Sequence, residues 1–87
     1  MTKDELLSIV CDVVRAHAAG ATITVEAGTP LGPDGLGIDS IGCLEIVLEL
    51  EHRTGIVLRD ENLSAETLAT PGSLSEHLLA SQRSQHG

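Results

Sequence analysis

Not one of the 87 residues is Phe, Tyr or Trp. Any core must therefore be assembled from Leu, Ile, Val and Ala. Slim aliphatic side chains bury enough surface only when many of them line up, and a stripe along a helix does this well. The chain is long enough for one domain, with a modest core. The missing rings also remove any platform on which nucleic-acid bases would stack.

The apolar periodicity sets where helices fall. TKDE, residues 2–5, reads as a capping box, with the Thr2 hydroxyl and the Glu5 carboxylate each answering the other's backbone amide. Leu6, Val10 and Val13 then recur at i, i+4 and i+7, with Leu7 and Val14 widening the stripe. Arg15 and His17 suit the negative end of the helix dipole, and Gly20 is the expected stop. Residues 21–39 form a long connection. ITVEAG has β character, but a single short strand has nothing to pair with. Gly28, Pro30, Gly32, Pro33, Gly35 and Gly37 punctuate the rest. A loop of this length is functional or anchored, and Ile23, Leu31 and Leu36 are its candidate anchors. A second helix is expected over residues 40–54, ending at Gly55. A short third falls within residues 60–68. The last starts at Thr70 or Ser73, with Pro71 in its first turn, SLSE as a second capping box, and Leu74, Leu78 and Leu79 buried. SQRSQHG reads as a frayed polar tail. The expected fold is all-α: a four-helix bundle of three main helices and a short third, with a long loop between helices 1 and 2. It forms one domain over residues 1–87, with its core at 4–80 and the tail at 81–87.

Thirteen acids face five bases, for a formal net charge of -8. Nucleic acid would be repelled, whereas partners with basic patches would be attracted and steered. Cys11 and Cys43 stand apart in helical segments, without a CxxC or His-Cys cluster. They read as small buried hydrophobes in a reducing compartment. No apolar run approaches the roughly 18 residues of a membrane span, and the first residues do not read as a signal peptide. The expectation is a cytoplasmic monomer.

The stretch LGIDSIGCLEIVLELE, residues 36–51, carries most of the functional information. With Ser40 at zero and about 100° per residue, Cys43, Ile46, Val47 and Leu50 share one apolar arc. Ile41 and Leu48 fall together at about 80–100°, beside Glu45 and His52 at about 120–140° and Glu49 at about 180°. On this wheel Ile41 and Leu48 lie at the border between core and charged face. They are either edge-of-core residues beside solvated acids or a docking surface for a basic, apolar partner. Ser40 itself is a weak nucleophile without an activating base. No GxSxG elbow surrounds it, and the histidines at 17, 52, 77 and 86 show no triad order. An exposed serine at a helix start, beside Asp39, is either part of a helix cap or a hydroxyl presented to another enzyme.

At LGIDSI the chain resembles the acyl carrier proteins, whose Leu-Gly-x-Asp-Ser motif precedes the second helix. LEIVLELEHRTGI resembles that family's second helix and following turn, and TPGSL the start of its last helix. The resemblance spans about residues 4–80. It implies a four-helix bundle whose serine receives 4'-phosphopantetheine from coenzyme A, delivered by a phosphopantetheinyl transferase. Matched residue by residue, Ser40 would be the attachment point. Asp39 would assist the transferase through a metal and basic contacts. Ile41, Glu45, Leu48 and Glu49 would be the surface read by partner enzymes such as a ketosynthase, acyltransferase or ligase. Such a carrier is not itself an enzyme and has no resident metal. It holds acyl groups as thioesters, with a cleft between helices as a possible shelter for the chain.

Four departures stand out. Gly42 replaces a larger side chain two residues after Ser40, and Thr54 replaces a common core aromatic. GPDG, residues 32–35, lengthens the loop, and His52 stands where fatty-acid carriers often have an acid. These point towards a discrete carrier of polyketide or related specialised biosynthesis. An aminoacyl or peptidyl carrier and an unmodified acidic helical adaptor are the alternatives.

Overall fold

The computed structural model describes residues 1–18, 24–58 and 63–85. Three helices occupy them: α1, Lys3–His17; α2, Ser40–Thr54; and α3, Pro71–Gln85. α1 begins at the expected box. The Glu5 amide donates to the Thr2 hydroxyl, and the Thr2 amide to the Glu5 carboxylate, each at 3.2 Å. Its end is capped by Ala18, whose N–H donates to Val14. The expected stop at Gly20 and anchor at Ile23 lie outside the described residues.

α1 is the central element, packing against both α2 and α3. Leu6, Val10, Val13 and Val14 are fully buried, together with Ile46 and Leu50 of α2 and Leu74 and Leu78 of α3. Among the described residues no Cα of α2 comes within 8 Å of one of α3. The long connection and the segment before α3 fill the space between them. Leu31 is 1% exposed, and its N–H donates to the Ala69 carbonyl at 2.9 Å while its own carbonyl accepts from Ile38 at 2.8 Å. Leu36 and Ile38 pack against the same core. No strand forms among the described residues, ITVEAG included from Thr24 onward.

The all-α class holds, but the four-helix count is not confirmed: three helices are found among the described residues, and residues 60–62 of the expected third lie outside them. Of the segment expected as a short third helix, residues 63–68 are described, and they hold a turn. There the Ser64 hydroxyl accepts from the Thr67 amide and a single helical bond joins Leu68 to Ser64. The Ser64 bond has the i to i+3 geometry of the caps at Thr2 and Asp39, but only one turn follows before the Thr70 cap opens the last helix. Of the two expected starts of the last helix, the structure takes Thr70: the Ser73 amide donates to the Thr70 hydroxyl and the Thr70 amide to the Ser73 hydroxyl, each at 3.1 Å, and Pro71 stands in the first turn as expected. The box is TPGS, with Ser73 in the place usually held by Glu, and SLSE, starting at Ser73, lies inside the helix. Finally, the expected frayed tail is helical as far as Gln85. Gln82 accepts from the Met1 ammonium and donates to the Met1 carbonyl, which ties this last turn to the start of α1.

Leu31 is the keystone of the connection, so Leu31→Ala is expected to cost about 2–5 kcal/mol, as large-to-small core changes do. Leu48→Ala, at a side chain 64% exposed, is expected to cost less than about 0.5 kcal/mol. Urea unfolding followed by circular dichroism measures both.

Candidate functional site

α2 starts where it does because Asp39 caps it. The Asp39 carboxylate accepts from the Gly42 amide at 2.7 Å, with extended backbone at Asp39 itself. Ser40 is thus the first residue of the helix, exposed, and its hydroxyl makes no hydrogen bond among the described residues. Of the two capping alternatives, the structure selects Asp39 and leaves the serine hydroxyl available. Gly42 has a steric reason. A Cβ there would sit 2.7 Å from the Ile38 Cγ2 and 3.2 Å from the capping Asp39 oxygen. At the far end Gly55 takes the left-handed conformation, φ 72°, that closes a helix with least strain in glycine. Thr54, half-buried, donates its hydroxyl to Leu50 and accepts from the Ile56 amide. The position expected to be a repacked aromatic site instead satisfies the helix end.

The expected inward arc of α2 is present: Ile46, Val47 and Leu50 are buried and Cys43 is half-buried. Burial pushes the thiols of Cys43 and Cys11 up, away from thiolate reactivity. Ile41 and Leu48 are not at the border of the core. They are 68% and 64% exposed, at the middle of the outward face, because 80–100° lies nearly opposite an apolar arc centred at about 290° on the same wheel. Leu44, 51% exposed, was not singled out by the sequence. Its apolar neighbours at 43, 46 and 47 disguise it as core, although at about 40° on the same wheel it already stood outside that arc.

Beside Ser40 lies an open cleft of about 570 Å³. Its walls come from α2 (Ser40, Cys43, Leu44, Val47), from the connection (Pro30, Pro33, Asp34, Ile38) and from the segment before α3 (Leu63, Leu68). Cys43 therefore does face the cleft as well as pack. The loop stretch GPDG, marked in the sequence only as a lengthening, supplies one wall. It is held by bonds from Leu36 to Pro30 and from Gly35 and Gly37 to Gly32.

Two of the three acids of α2, Glu45 and Glu49, lie beside basic groups of the chain. Glu49 accepts from Arg53 Nε at 2.9 Å, and Glu45 lies 3.7 Å from His17 Nδ1 of α1, an ion pair whenever that imidazole is protonated. The Arg53 hydrogen bond holds the Glu49 carboxyl below the usual carboxylate range. The charges of Arg53, His52 and His17 act the same way, against partial desolvation. Among the described residues no group of three or more His, Cys, Asp or Glu is placed to hold a metal. No helix of the described residues is long and apolar enough to cross a membrane.

Residues 4–78 match the family described as the phosphopantetheine attachment site. Among curated proteins, the chain is 33% identical over 78 residues to the acyl carrier protein of Exiguobacterium sp., covering 90% of this chain and 95% of that one. The chain belongs to the acyl carrier protein family. It is 40% identical over 68 residues to the chloroplastic acyl carrier protein 2 of Hordeum vulgare, covering 78% of this chain and 50% of that one. With the chloroplastic acyl carrier protein 1 of Spinacia oleracea it shares 35% identity over 79 residues, or 88% of this chain and 56% of the other. It thus spans about half the length of the two plant relatives. No solved structure matches it significantly. Membership makes the chain a carrier rather than a catalyst, with covalently attached 4'-phosphopantetheine as its cofactor.

The Arg53–Glu49 bond carries a pH signature. A carboxyl with a lowered folded-state pKa lends stability above its unfolded pKa and loses it as pH falls through the folded value. Arg53→Gln is accordingly expected to move the Glu49 titration upward, towards the ordinary carboxylate range. A carboxyl-carbon NMR titration reads this directly.

Proposed function

We propose that the carrier is loaded at Ser40 and shuttles acyl groups between enzymes of polyketide or related specialised biosynthesis. The observation that supports this most is the placement of Ser40: an exposed hydroxyl at the first residue of a capped helix, on the rim of a mainly apolar cleft. The residues suit the prosthetic group. A phosphodiester on Ser40 would lie at the positive end of α2, where an anion is favoured. When bound, the group supplies a thiol that holds acyl chains as thioesters.

The chain's own residues hold and present. Asp39 fixes the first turn of α2 and with it the direction of the Ser40 hydroxyl, and stands next to the hydroxyl for a metal or basic group that the phosphopantetheinyl transferase brings. The proton leaving Ser40 passes to a base of that enzyme, because none is paired with the hydroxyl here. Ile41 and Leu48, with Glu45 and Glu49 beside them, form the face that a ketosynthase, acyltransferase or ligase would read. Glu49 already has an intramolecular partner in Arg53, and Glu45 has one in His17 when that imidazole is protonated, so there an incoming cation gains only the difference between two pairings. That suits contacts which must form and release at each step. Tethering keeps the intermediate at high local concentration throughout. Gly42, Thr54, the GPDG loop and His52 support the specialised-pathway assignment over a housekeeping fatty-acid role.

Incubation with coenzyme A and a broad-specificity transferase should add one phosphopantetheinyl group by intact mass. Ser40→Ala should abolish the gain with helicity unchanged. A folded wild-type chain that gains no mass, where a known carrier does, would refute the assignment. Leu48→Glu and Ile41→Glu should each slow acyl transfer to cognate enzymes several-fold more than they slow loading. Equal slowing of both, or none, counts against the partner face.

A further inference from the structure

Gly42 is absent from the lining of the cleft, but the side chain packed against it is not. A Cβ at position 42 would stand 2.7 Å from Ile38 Cγ2, closer than two such carbons approach, and 3.2 Å from the capping Asp39 oxygen. Ile38 therefore lies against the bare first turn of α2 and lines the cleft with its other side. The backbone between them is held at both ends. The Ile38 N–H donates to the Leu31 carbonyl at 2.8 Å, the Cys43 N–H to the Asp39 carbonyl at 2.9 Å and the Gly42 N–H to the Asp39 carboxylate at 2.7 Å. A side chain at 42 would thus be accommodated by turning Ile38. A β-branched side chain is stiff and moves between staggered wells rather than sliding. Ile38 already packs against the filled core, so the space open to it is the cleft.

We infer that Gly42 determines how bulky an acyl group this carrier accommodates: by leaving Ile38 room against α2, it keeps the cleft beside Ser40 open, and bulk at 42 closes it. The inference rests on Ser40 being the attachment residue, and it assigns the cleft to the carrier's own cargo. Position and chemistry argue for that occupant. Ser40 stands on the rim, so a group carried on its arm is tethered within reach of the space. Val47, Leu63 and Leu68 offer an aliphatic chain an apolar wall, while Asp34 and Asp39 on the same lining disfavour a cargo with a free carboxylate. Gly42 touches no cargo and acts only through Ile38, as a positioning residue. Glycine inside a helix costs about 1 kcal/mol relative to alanine, and the contact with Ile38 gives a reason for it here.

The full chain, loaded from acetyl- or octanoyl-coenzyme A by a broad-specificity transferase and checked by intact mass, gives the test. Thermal unfolding is followed by circular dichroism. The reading is the difference between the octanoyl and acetyl forms of one variant, which cancels what a substitution does to the fold itself. In the wild type the octanoyl form should melt about 5 °C above the acetyl form. Gly42→Ala should reduce that difference to about 1 °C or less. Ile38→Ala, which has no Cγ2 to be displaced, should keep it, and adding Gly42→Ala to Ile38→Ala should change nothing, as a coupled pair requires. A glycine with a merely structural role would shift both acyl forms together. A full difference in Gly42→Ala, a lost one in the double variant, or none in the loaded wild type overturns the inference and leaves the Ser40 assignment standing. A folded wild type that takes no group refutes that assignment and the inference with it, so the two failures remain distinct.

Discussion

The site depends on how the connection between the first two helices is held. Leu31 is buried, donates to Ala69 and accepts from Ile38. One residue thus ties the middle of a Gly- and Pro-rich segment to the core, to the turn before α3 and to the approach of α2. With Ile38 so placed, Asp39 is delivered in extended conformation and its carboxylate closes over the Gly42 amide. Ser40 inherits its position from that chain of contacts. A chain without aromatic rings has few large anchors, so a single leucine carries a large share of the order.

Electrostatics divide the surface that this arrangement creates. A net charge of -8 suggests a uniformly acidic protein, yet Glu49 is paired with Arg53, Glu45 is paired with His17 only when that imidazole is protonated, and Asp34 on the loop has no ion pair among the described residues. Exposed pairs of this kind add little to stability. Their larger effect is on what a visitor meets. Charge that is already answered yields little to an incoming cation, so the formal count overstates the pull at Glu49.

Much of the fold was legible from letter patterns. The boundaries of α2 follow from Asp39 before it and Gly55 after it, and the Thr2–Glu5 box marks the start of α1. Ile46, Val47 and Leu50 follow from period alone. The segment at 63–68 was not legible as a turn, because both its apolar content and a serine placed to cap fit a helix start. At the last helix two overlapping box patterns left the start open between Thr70 and Ser73, and Pro71 favours the earlier one, which the structure takes. Of the site, Asp39 and Ser40 were plain from their motif. Ile41 and Leu48 were placed at the edge of the core, although at about 80–100° they stand nearly opposite the apolar arc, so their exposure was readable from the period itself. Leu44 and Asp34 were missed. One lies among apolar neighbours, and the other sits in a loop with no period to reveal which way it faces.

The cleft beside Ser40 is walled by α2, by the connection and by the segment before α3, and none of its lining comes from α3 itself. Two of its three walls are therefore loop and turn, the parts of a chain whose length and sequence change most readily. The shape of this space can be altered there while the helical frame around α1 keeps its packing.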